Sequence, residues 1–152
     1  QNTDILKVVR TINEARTLSP LRTLKATFPD IEKKSWTISV LGTSYKAGVG
    51  DERGSKTIEM IEAMKRWKKI KVIAYDPYIP ERKPPIFDST SDLGLHKADI
   101  VIVTTDEPEF KEIGKFLSNQ CKAVFDFTAT KVVFEEMVPE NTKFFRAGIG
   151  WI

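Results

Sequence analysis

A glycine-rich segment between an apolar run and an amphipathic pattern constrains the fold of this chain more than any other feature. The apolar run Trp36–Leu41 precedes it, glycines follow at positions 42, 48, 50 and 54, and helical spacing of apolar residues begins near Thr57. Such a turn between a strand and a helix is where α/β proteins hold phosphate groups, because backbone N–H groups and a helix N-terminus converge there. The segment also carries Tyr45 beside Lys46, and Arg53. It therefore contains the groups that can bind a nucleotide.

Strand-like and helix-like patterns alternate along the rest of the chain. The predicted strands are Trp36–Leu41, Lys71–Tyr75, Asp99–Val103, Ala123–Asp126 and Lys143–Arg146. The predicted helices between them are Thr57–Lys68, a short one around Ser91–Lys97, and Glu109–Leu117. The strand that begins at Asp99 is almost purely β-branched, which is typical of a central parallel strand. The alternation predicts an α/β fold, a Rossmann-like three-layer sandwich with a mainly parallel sheet.

One or two helices are expected before the first strand. Apolar residues recur at helical spacing from Ile5 to Ala15, which predicts an amphipathic helix. Ser19 then resembles a new N-cap with Pro20 at the first helical position, and this predicts a second helix. The apolar residues on its buried side are Leu21, Leu24 and Phe28. We expect these helices to pack on a neighbouring part of a longer protein.

Length and composition limit the classes of protein that are possible. The 152 residues suit one domain, and 41% apolar with 30% charged residues indicate a soluble globular chain. We expect no signal peptide and no membrane span, since apolar runs are short. The net charge of +3 is mild, and the basic cluster from Lys65 to Lys71 lacks stacking aromatics, so we expect no nucleic-acid partner. The single Cys121 excludes an internal disulfide and favours a reducing, cytoplasmic location.

Three candidate binding features keep two interpretations each. The glycines do not follow G-x-G-x-x-G, and Asp76, at the end of the second strand, suits either a ribose-binding acid or a turn. Tyr45 and Lys46 suit either base stacking with phosphate neutralisation or an ordinary solvated loop. Arg53 lies just before a helix, where a cation is unfavourable, so it serves either the adjacent carboxylates or a bound anion.

Residues of other reactive types do not form a catalytic centre. His96 has no second metal ligand at a suitable spacing, so we interpret it as a surface or core histidine. Cys121 has no histidine placed to activate it and is interpreted as structural. The sequence predicts no metal site and no catalytic residue in this chain.

Four linked blocks resemble a known family. They are L-G-x-x-Y-K-x-G-x-x-D-x-R-x-S, a helix, V-x-A-Y-D-P-Y-I-P, and A-D-I-V-I-V-T-T-D-x-x-E-F. Their order is similar to that in the UDP-binding C-terminal domain of the UDP-glucose/GDP-mannose type of nucleotide-sugar dehydrogenases. The resemblance covers about Thr11 to the C-terminus. It implies that residues 1–30 end a central helical dimerisation segment and that residues 31–152 form a UDP-sugar-binding domain.

The resemblance also implies roles for particular residues. Tyr45 and Lys46 resemble the aromatic and lysine pair that contacts the UDP-sugar, and Arg53 resembles an arginine that reaches NAD held by another domain. Two positions depart from the pattern. Asp126-Phe127-Thr128-Ala129 lacks the arginine that commonly follows this strand, and the helix after the glycines begins Ser55-Lys56 rather than Ser-Pro.

The resemblance implies the substrate-binding part of an enzyme that oxidises the sugar C6 alcohol to a carboxylate with NAD. The expected substrate is a UDP-sugar of the glucose, N-acetylmannosamine or N-acetylglucosamine type. The catalytic cysteine belongs to an upstream segment and is not Cys121, so the chain alone is expected to be inactive. Expected partners are the other two domains and, in the full-length enzyme, a second copy. The alternative is a non-catalytic nucleotide-binding or interaction module with the same fold.

Overall fold

A computed structural model of the chain describes residues 2–79, 95–128, 130–147 and 150–151. Its two helices are α1 (Asn2–Thr27) and α2 (Lys56–Met64). Its strands are β1 (Trp36–Leu41), β2 (Ile70–Tyr75), β3 (Ile100–Val103), β4 (Ala123–Asp126), β5 (Lys143–Arg146) and β6 (Gly150–Trp151). Short 3-10 turns cover Leu95–Lys97, Pro108–Phe110, Ile113–Phe116 and Glu135–Met137. The α/β class predicted from the alternation is confirmed.

The strands form one sheet in the order β2-β1-β3-β4-β5-β6. The first five are parallel, and β6, which was not predicted, pairs antiparallel with β5. All four residues of β3 are buried, as the β-branched pattern predicted for a central strand. β2 lies on one side of β1 and β3 on the other. After β2 the chain therefore crosses back over β1, and the order in which strands are added to the sheet reverses. This reversal is a topological switch point, where loops at the carboxyl ends of neighbouring strands diverge.

Each face of the sheet is covered by its own apolar cluster. On one face, Leu24 of α1 and Met60 and Met64 of α2 pack against strand residues such as Ile38 and Phe125. The other face packs against the 3-10 turns, which contribute Leu95, Phe110 and Ile113. Burial on both faces explains why the central strands are continuously apolar rather than alternating.

The prediction of a second helix starting at Ser19 is wrong, because α1 continues through Pro20. The Ser19 carbonyl accepts a hydrogen bond from the Thr23 hydroxyl at 3.1 Å, as expected inside a helix and not at an N-cap. A proline removes only one backbone donor, and Leu21 and Leu24 on the same helix are buried in the core. The buried face after Pro20 therefore favours one continuous helix.

The predicted helix Glu109–Leu117 is replaced by two 3-10 turns. The carbonyl of Lys111, which a continuous α-helix would use for the N–H of Lys115, accepts instead from Phe134 N–H at 2.8 Å. A β-carbon on Gly114 would lie 2.1 Å from the Met137 carbonyl oxygen, so this segment is pressed against the chain that crosses it. Helix α2 ends at Met64, short of the predicted Lys68, and the predicted helix around 91–97 is described only at its last turn, since 91–94 lie outside the described residues.

Candidate functional site

A cleft of about 220 Å³ opens at the switch point, at the carboxyl ends of β1, β3 and β4. We call it the switch-point cleft. Loops that follow three strands line it, with Tyr45, Lys46 and Ala47 after β1, Thr104, Thr105 and Asp106 after β3, and Phe127, Thr128 and Thr130 after β4. Open α/β sheets bind ligands at this position, because neighbouring loops separate there and leave a crevice. The structure therefore places Tyr45 and Lys46 in the crevice that the fold provides.

Tyr45 and Lys46 are exposed on one wall of the cleft. The Tyr45 side chain is 56% exposed, although the residue is aromatic, and Lys46 is also exposed. The Tyr45 backbone is fixed, since its N–H donates to the Asp51 carbonyl at 2.9 Å. The backbone of this wall is thus held while both side chains are free to meet a ligand. An aromatic face with an adjacent ammonium group suits a nucleotide, which offers a flat base and phosphate charge.

The first backbone N–H groups of the glycine-rich loop donate to a carboxylate of the chain itself, so they are not free to bind a ligand. The N–H groups of Thr43 and Ser44 donate to one oxygen of Asp76 at 2.9 and 2.8 Å, and Tyr78 N–H donates to its other oxygen at 2.9 Å. Asp76 is fully buried. It therefore serves the loop and its own turn, and a ribose could not reach it. Of the two interpretations given above for Asp76, the structure supports the turn.

A second buried carboxylate holds the middle of the same loop. Gly48 N–H donates to Glu107 Oε1 at 2.6 Å, and Glu107 is only 3% exposed. Burial raises the pKa of Glu107, an effect that the Gly48 hydrogen bond opposes and that the negative charge of Asp76 reinforces. Glu107 directly follows Thr104, Thr105 and Asp106, which line the cleft after β3, so its bond to Gly48 ties the β3 wall of the cleft to the β1 loop. The expected cradle of free N–H groups is thus largely replaced by internal hydrogen bonds.

Arg53 is paired within its own loop and does not line the switch-point cleft. Its guanidinium binds both oxygens of Asp51, with Nη2 to Oδ2 at 2.6 Å and Nε to each oxygen at 3.0 Å. This pair lowers the pKa of Asp51 to about 2. The Arg53 side chain is nevertheless 92% exposed, so the far side of its guanidinium faces outward. In this structure Arg53 thus binds the adjacent carboxylate of Asp51, as the first of its two interpretations predicts.

The loop after β4 is organised without the arginine that its sequence lacks. Asp126 is fully buried, and its Oδ1 accepts from the N–H and hydroxyl of Thr128 at 2.9 and 2.5 Å. Its Oδ2 accepts from Val133 N–H at 3.1 Å. From the neighbouring strand, Arg146 donates to the carbonyls of Val133 at 2.7 Å and Lys131 at 3.4 Å. Thr128 itself lines the cleft.

The other reactive residues lie away from the cleft. Cys121 is buried, and burial raises its pKa to about 12, so the thiol is inert. Tyr75 is buried, donates its hydroxyl to Glu109, and has a raised pKa from burial and that carboxylate. His96 is exposed in a 3-10 turn before β3. Within the described ranges, no group of three His, Cys, Asp or Glu side chains could hold a metal ion.

The sequence predicted the β1 wall of the cleft and missed the other two. Thr104, Thr105 and Asp106 carry a signal that could have found them, since a run of polar residues directly follows the β-branched strand. Glu107 carries no such signal, because its bond to Gly48 joins residues 59 positions apart. The described residues do not fit an independent NAD site, since the loop lacks G-x-G-x-x-G and its N–H groups are engaged by Asp76 and Glu107.

The parallel sheet, the strand order and the cleft at the switch point define a Rossmann-like α/β domain. Residues 39–135 match the UDP binding domain of the UDP-glucose/GDP-mannose dehydrogenase family, and the chain belongs to this family. The resemblance seen in the sequence is therefore confirmed.

Curated relatives and solved structures agree with this assignment. The UDP-N-acetyl-D-mannosamine dehydrogenase of Pyrococcus horikoshii is 31% identical over 114 residues, which cover 72% of this chain and 25% of that protein. The UDP-glucose 6-dehydrogenase of Rickettsia felis is 32% identical over 117 residues, with coverages of 72% and 25%. The solved UDP-D-ManNAc dehydrogenase structure from Pyrococcus horikoshii superposes with a TM-score of 0.67 at 28% identity, over 91% of this chain and 32% of that one. The chain spans about a quarter of the length of the curated relatives that it matches.

Proposed function

We propose that this chain is the substrate-binding C-terminal domain of a nucleotide-sugar 6-dehydrogenase and that it binds the UDP part of a UDP-sugar in the switch-point cleft. The observation that carries the proposal is the exposure of Tyr45 and Lys46 in that cleft. The Tyr45 ring offers a flat surface for the base or ribose, and the Lys46 ammonium offers a charge for the diphosphate. The relatives, named as UDP-N-acetyl-D-mannosamine and UDP-glucose dehydrogenases, support a UDP-sugar of one of these types.

The cleft is smaller than the ~300–1,000 Å³ of most complete ligand sites. A volume of this size is expected if the cleft forms one half of the binding site and another domain supplies the other half. In the proposed enzyme that domain binds NAD and carries the nucleophile, and the sugar C6 alcohol is oxidised there to a carboxylate. The outward face of Arg53 would meet the NAD phosphates from this side. Residues 1–30 would end the central helical segment that joins the domains, in a cytoplasmic enzyme that forms a homodimer or a larger oligomer.

Calorimetric titration of the chain with UDP tests the proposal directly. We expect measurable binding, and Lys46→Ala should weaken it about tenfold, because a charge-assisted hydrogen bond contributes about 1.5–3 kcal/mol. Lys97→Ala is the matched control, since Lys97 is exposed but does not line the cleft. Absence of UDP binding, or an equal affinity for the Lys46→Ala variant, would contradict the proposal.

A non-catalytic nucleotide-binding module is the second candidate. The observation that favours it is Thr128, which stands in place of an arginine and donates its hydroxyl to Asp126. The two candidate functions predict different coding sequences upstream of Gln1. A coding sequence there with a G-x-G-x-x-G turn and a cysteine-bearing segment supports the dehydrogenase, and a start codon at that point supports the module.

A further inference from the structure

A strongly basic groove lies at the amino-terminal ends of β1 and β2, at the opposite end of the strands from the switch-point cleft. It has a volume of about 530 Å³, and Glu32, Lys33, Arg66, Trp67, Lys68 and Lys69 line it. We call it the basic groove. Lys33 precedes β1 and Lys69 directly precedes β2, whereas the cleft follows the carboxyl ends of the strands. A six-residue strand spans about 20 Å, so one ligand cannot touch both places.

The cations of the basic groove have no carboxylate partner in the described part of the chain. Elsewhere on the surface, Lys25, Lys34, Lys56, Lys65 and Lys115 each pair with an acidic side chain within 4 Å. Lys33, Arg66, Lys68 and Lys69 make no such pair. The one acidic residue of the groove, Glu32, is already bound to Lys25 at 2.6 Å. Four positive charges therefore share one concave surface without compensation.

The end of α2 accounts for only part of this arrangement. Cations near a helix C-terminus are favourable, but the partial charge there is about half an elementary charge. Half a negative charge is too little to offset the mutual repulsion of the four cations that line the groove. Trp67 adds an apolar surface, since it is partly buried against the core and its ring lies 5.5 Å from the Lys25 ammonium.

We propose that the basic groove is a second binding site, for a ligand with two or three linked phosphoryl groups. A terminal phosphoryl group carries a charge of about −1.5 to −2 and each further group linked to it about −1, so a chain of two or three carries about three to four negative charges and matches the four cations in a volume of this size. Isolated carboxylates carry one charge each and are spaced more widely along a peptide. Arg66 can bind phosphate oxygens in a bidentate manner, and the lysines add point charges. The phosphoryl chain belongs either to a free oligophosphate or to a nucleotide whose base meets Trp67.

Calorimetric titrations of the chain at low ionic strength, with EDTA present, test this site. The probes are tripolyphosphate, ATP and AMP. We expect tripolyphosphate and ATP to bind in the micromolar range and AMP to bind at least about tenfold more weakly. Equal affinities for tripolyphosphate and ATP identify a free oligophosphate as sufficient, and tighter ATP binding identifies a nucleotide.

Charge-reversal variants locate the binding. Lys68→Glu/Lys69→Glu should weaken tripolyphosphate binding at least about tenfold. The control Lys122→Glu/Lys143→Glu changes the net charge equally at exposed lysines outside the groove, near the starts of β4 and β5, and should leave the affinity within about twofold. An equal loss in the control variant, or no binding below millimolar concentration, would overturn the proposal.

Discussion

At the scale of single residues, buried carboxylates prepare the glycine-rich loop before any ligand is bound. Asp76 holds Thr43 and Ser44, and Glu107 holds Gly48, each through backbone N–H groups. The loop therefore carries its own acceptors at the positions where a phosphate cradle would leave donors free. Lys46, and not the backbone, is left as the charged group of this loop that faces the cleft.

Glu107 should make the stability of the chain depend on pH. Its pKa is raised in the folded state, chiefly by burial, so its contribution to stability is greatest at low pH and is lost as pH rises through the folded pKa. Glu107→Gln keeps an oxygen acceptor for Gly48 but does not titrate. We expect its free energy of unfolding, relative to that of the wild type, to increase between pH 4 and pH 7, because only the wild type loses stability as Glu107 ionises. Urea unfolding across this range measures the effect, and the exposed Glu140→Gln should show none. A relative stability that falls with pH would contradict the assignment.

Gly42 should tolerate no side chain. Its φ is +92°, and an added β-carbon would lie 2.0 Å from the Thr105 hydroxyl oxygen. Gly42→Ala should lower the free energy of unfolding by about 2 kcal/mol or more, since it combines backbone strain with a steric clash. Gly54→Ala is the control, because Gly54 has a φ of +69° but open space around it, and we expect a loss of about 1–2 kcal/mol from strain alone. Equal losses in chemical denaturation would show that the contact with Thr105 is unimportant.

At the scale of elements, the sequence predicts what depends on local pattern. The five parallel strands follow from apolar and β-branched runs, and the start of α2 lies one residue from the predicted Thr57 because the spacing of apolar residues is a local signal. The failures have long-range causes. Phe134 takes the carbonyl of Lys111, and this contact, 23 residues away along the chain, breaks the predicted helix. The cleft likewise was predicted on its β1 wall alone, because the contacts of Glu107 and Thr128 depend on the order of strands in the sheet.

The stability of helix α2 should depend strongly on its N-cap, Ser55. Ser55 caps it by accepting from Ile58 N–H at 3.4 Å, and the same hydroxyl donates to the Thr43 carbonyl at 2.7 Å. Ser55→Ala removes both bonds and should cost about 1–2 kcal/mol of unfolding free energy. Ser35→Ala, at an exposed position outside any helix or strand, should change it by less than about 0.5 kcal/mol. A thermal or urea melt of the two variants checks the difference, and similar stabilities would refute the capping role.

At the scale of the whole molecule, α1 extends beyond the domain that it helps to cover. Its second half packs into the core through Leu21 and Leu24, while Ile5, Leu6, Val8 and Val9 near its start are 47–68% exposed. No helix among the described residues is long and apolar enough to cross a membrane. An apolar face of this kind marks a surface that another protein segment covers. In the proposed enzyme, that segment belongs to the central helical part or to a second copy.

The chain should therefore self-associate through the start of α1. We expect its sedimentation coefficient to rise with concentration, and Leu6→Glu should shift the equilibrium toward the monomer by placing a charge on the apolar face. Thr11→Glu, also exposed on α1, adds the same charge at a polar position and serves as the control. A monomer at all concentrations, or equal effects of the two variants, would exclude this surface as the contact.

The fixed loop also determines what ligand binding can change. Because the amides of Thr43, Ser44 and Gly48 already have acceptors, their hydrogens should exchange slowly with deuterated solvent in the unliganded chain. A ligand that meets a loop in this state does not have to order it, so little conformational entropy is lost on binding. The cleft should thus behave as a preformed binding site, in which only the Tyr45 and Lys46 side chains change conformation when a ligand binds.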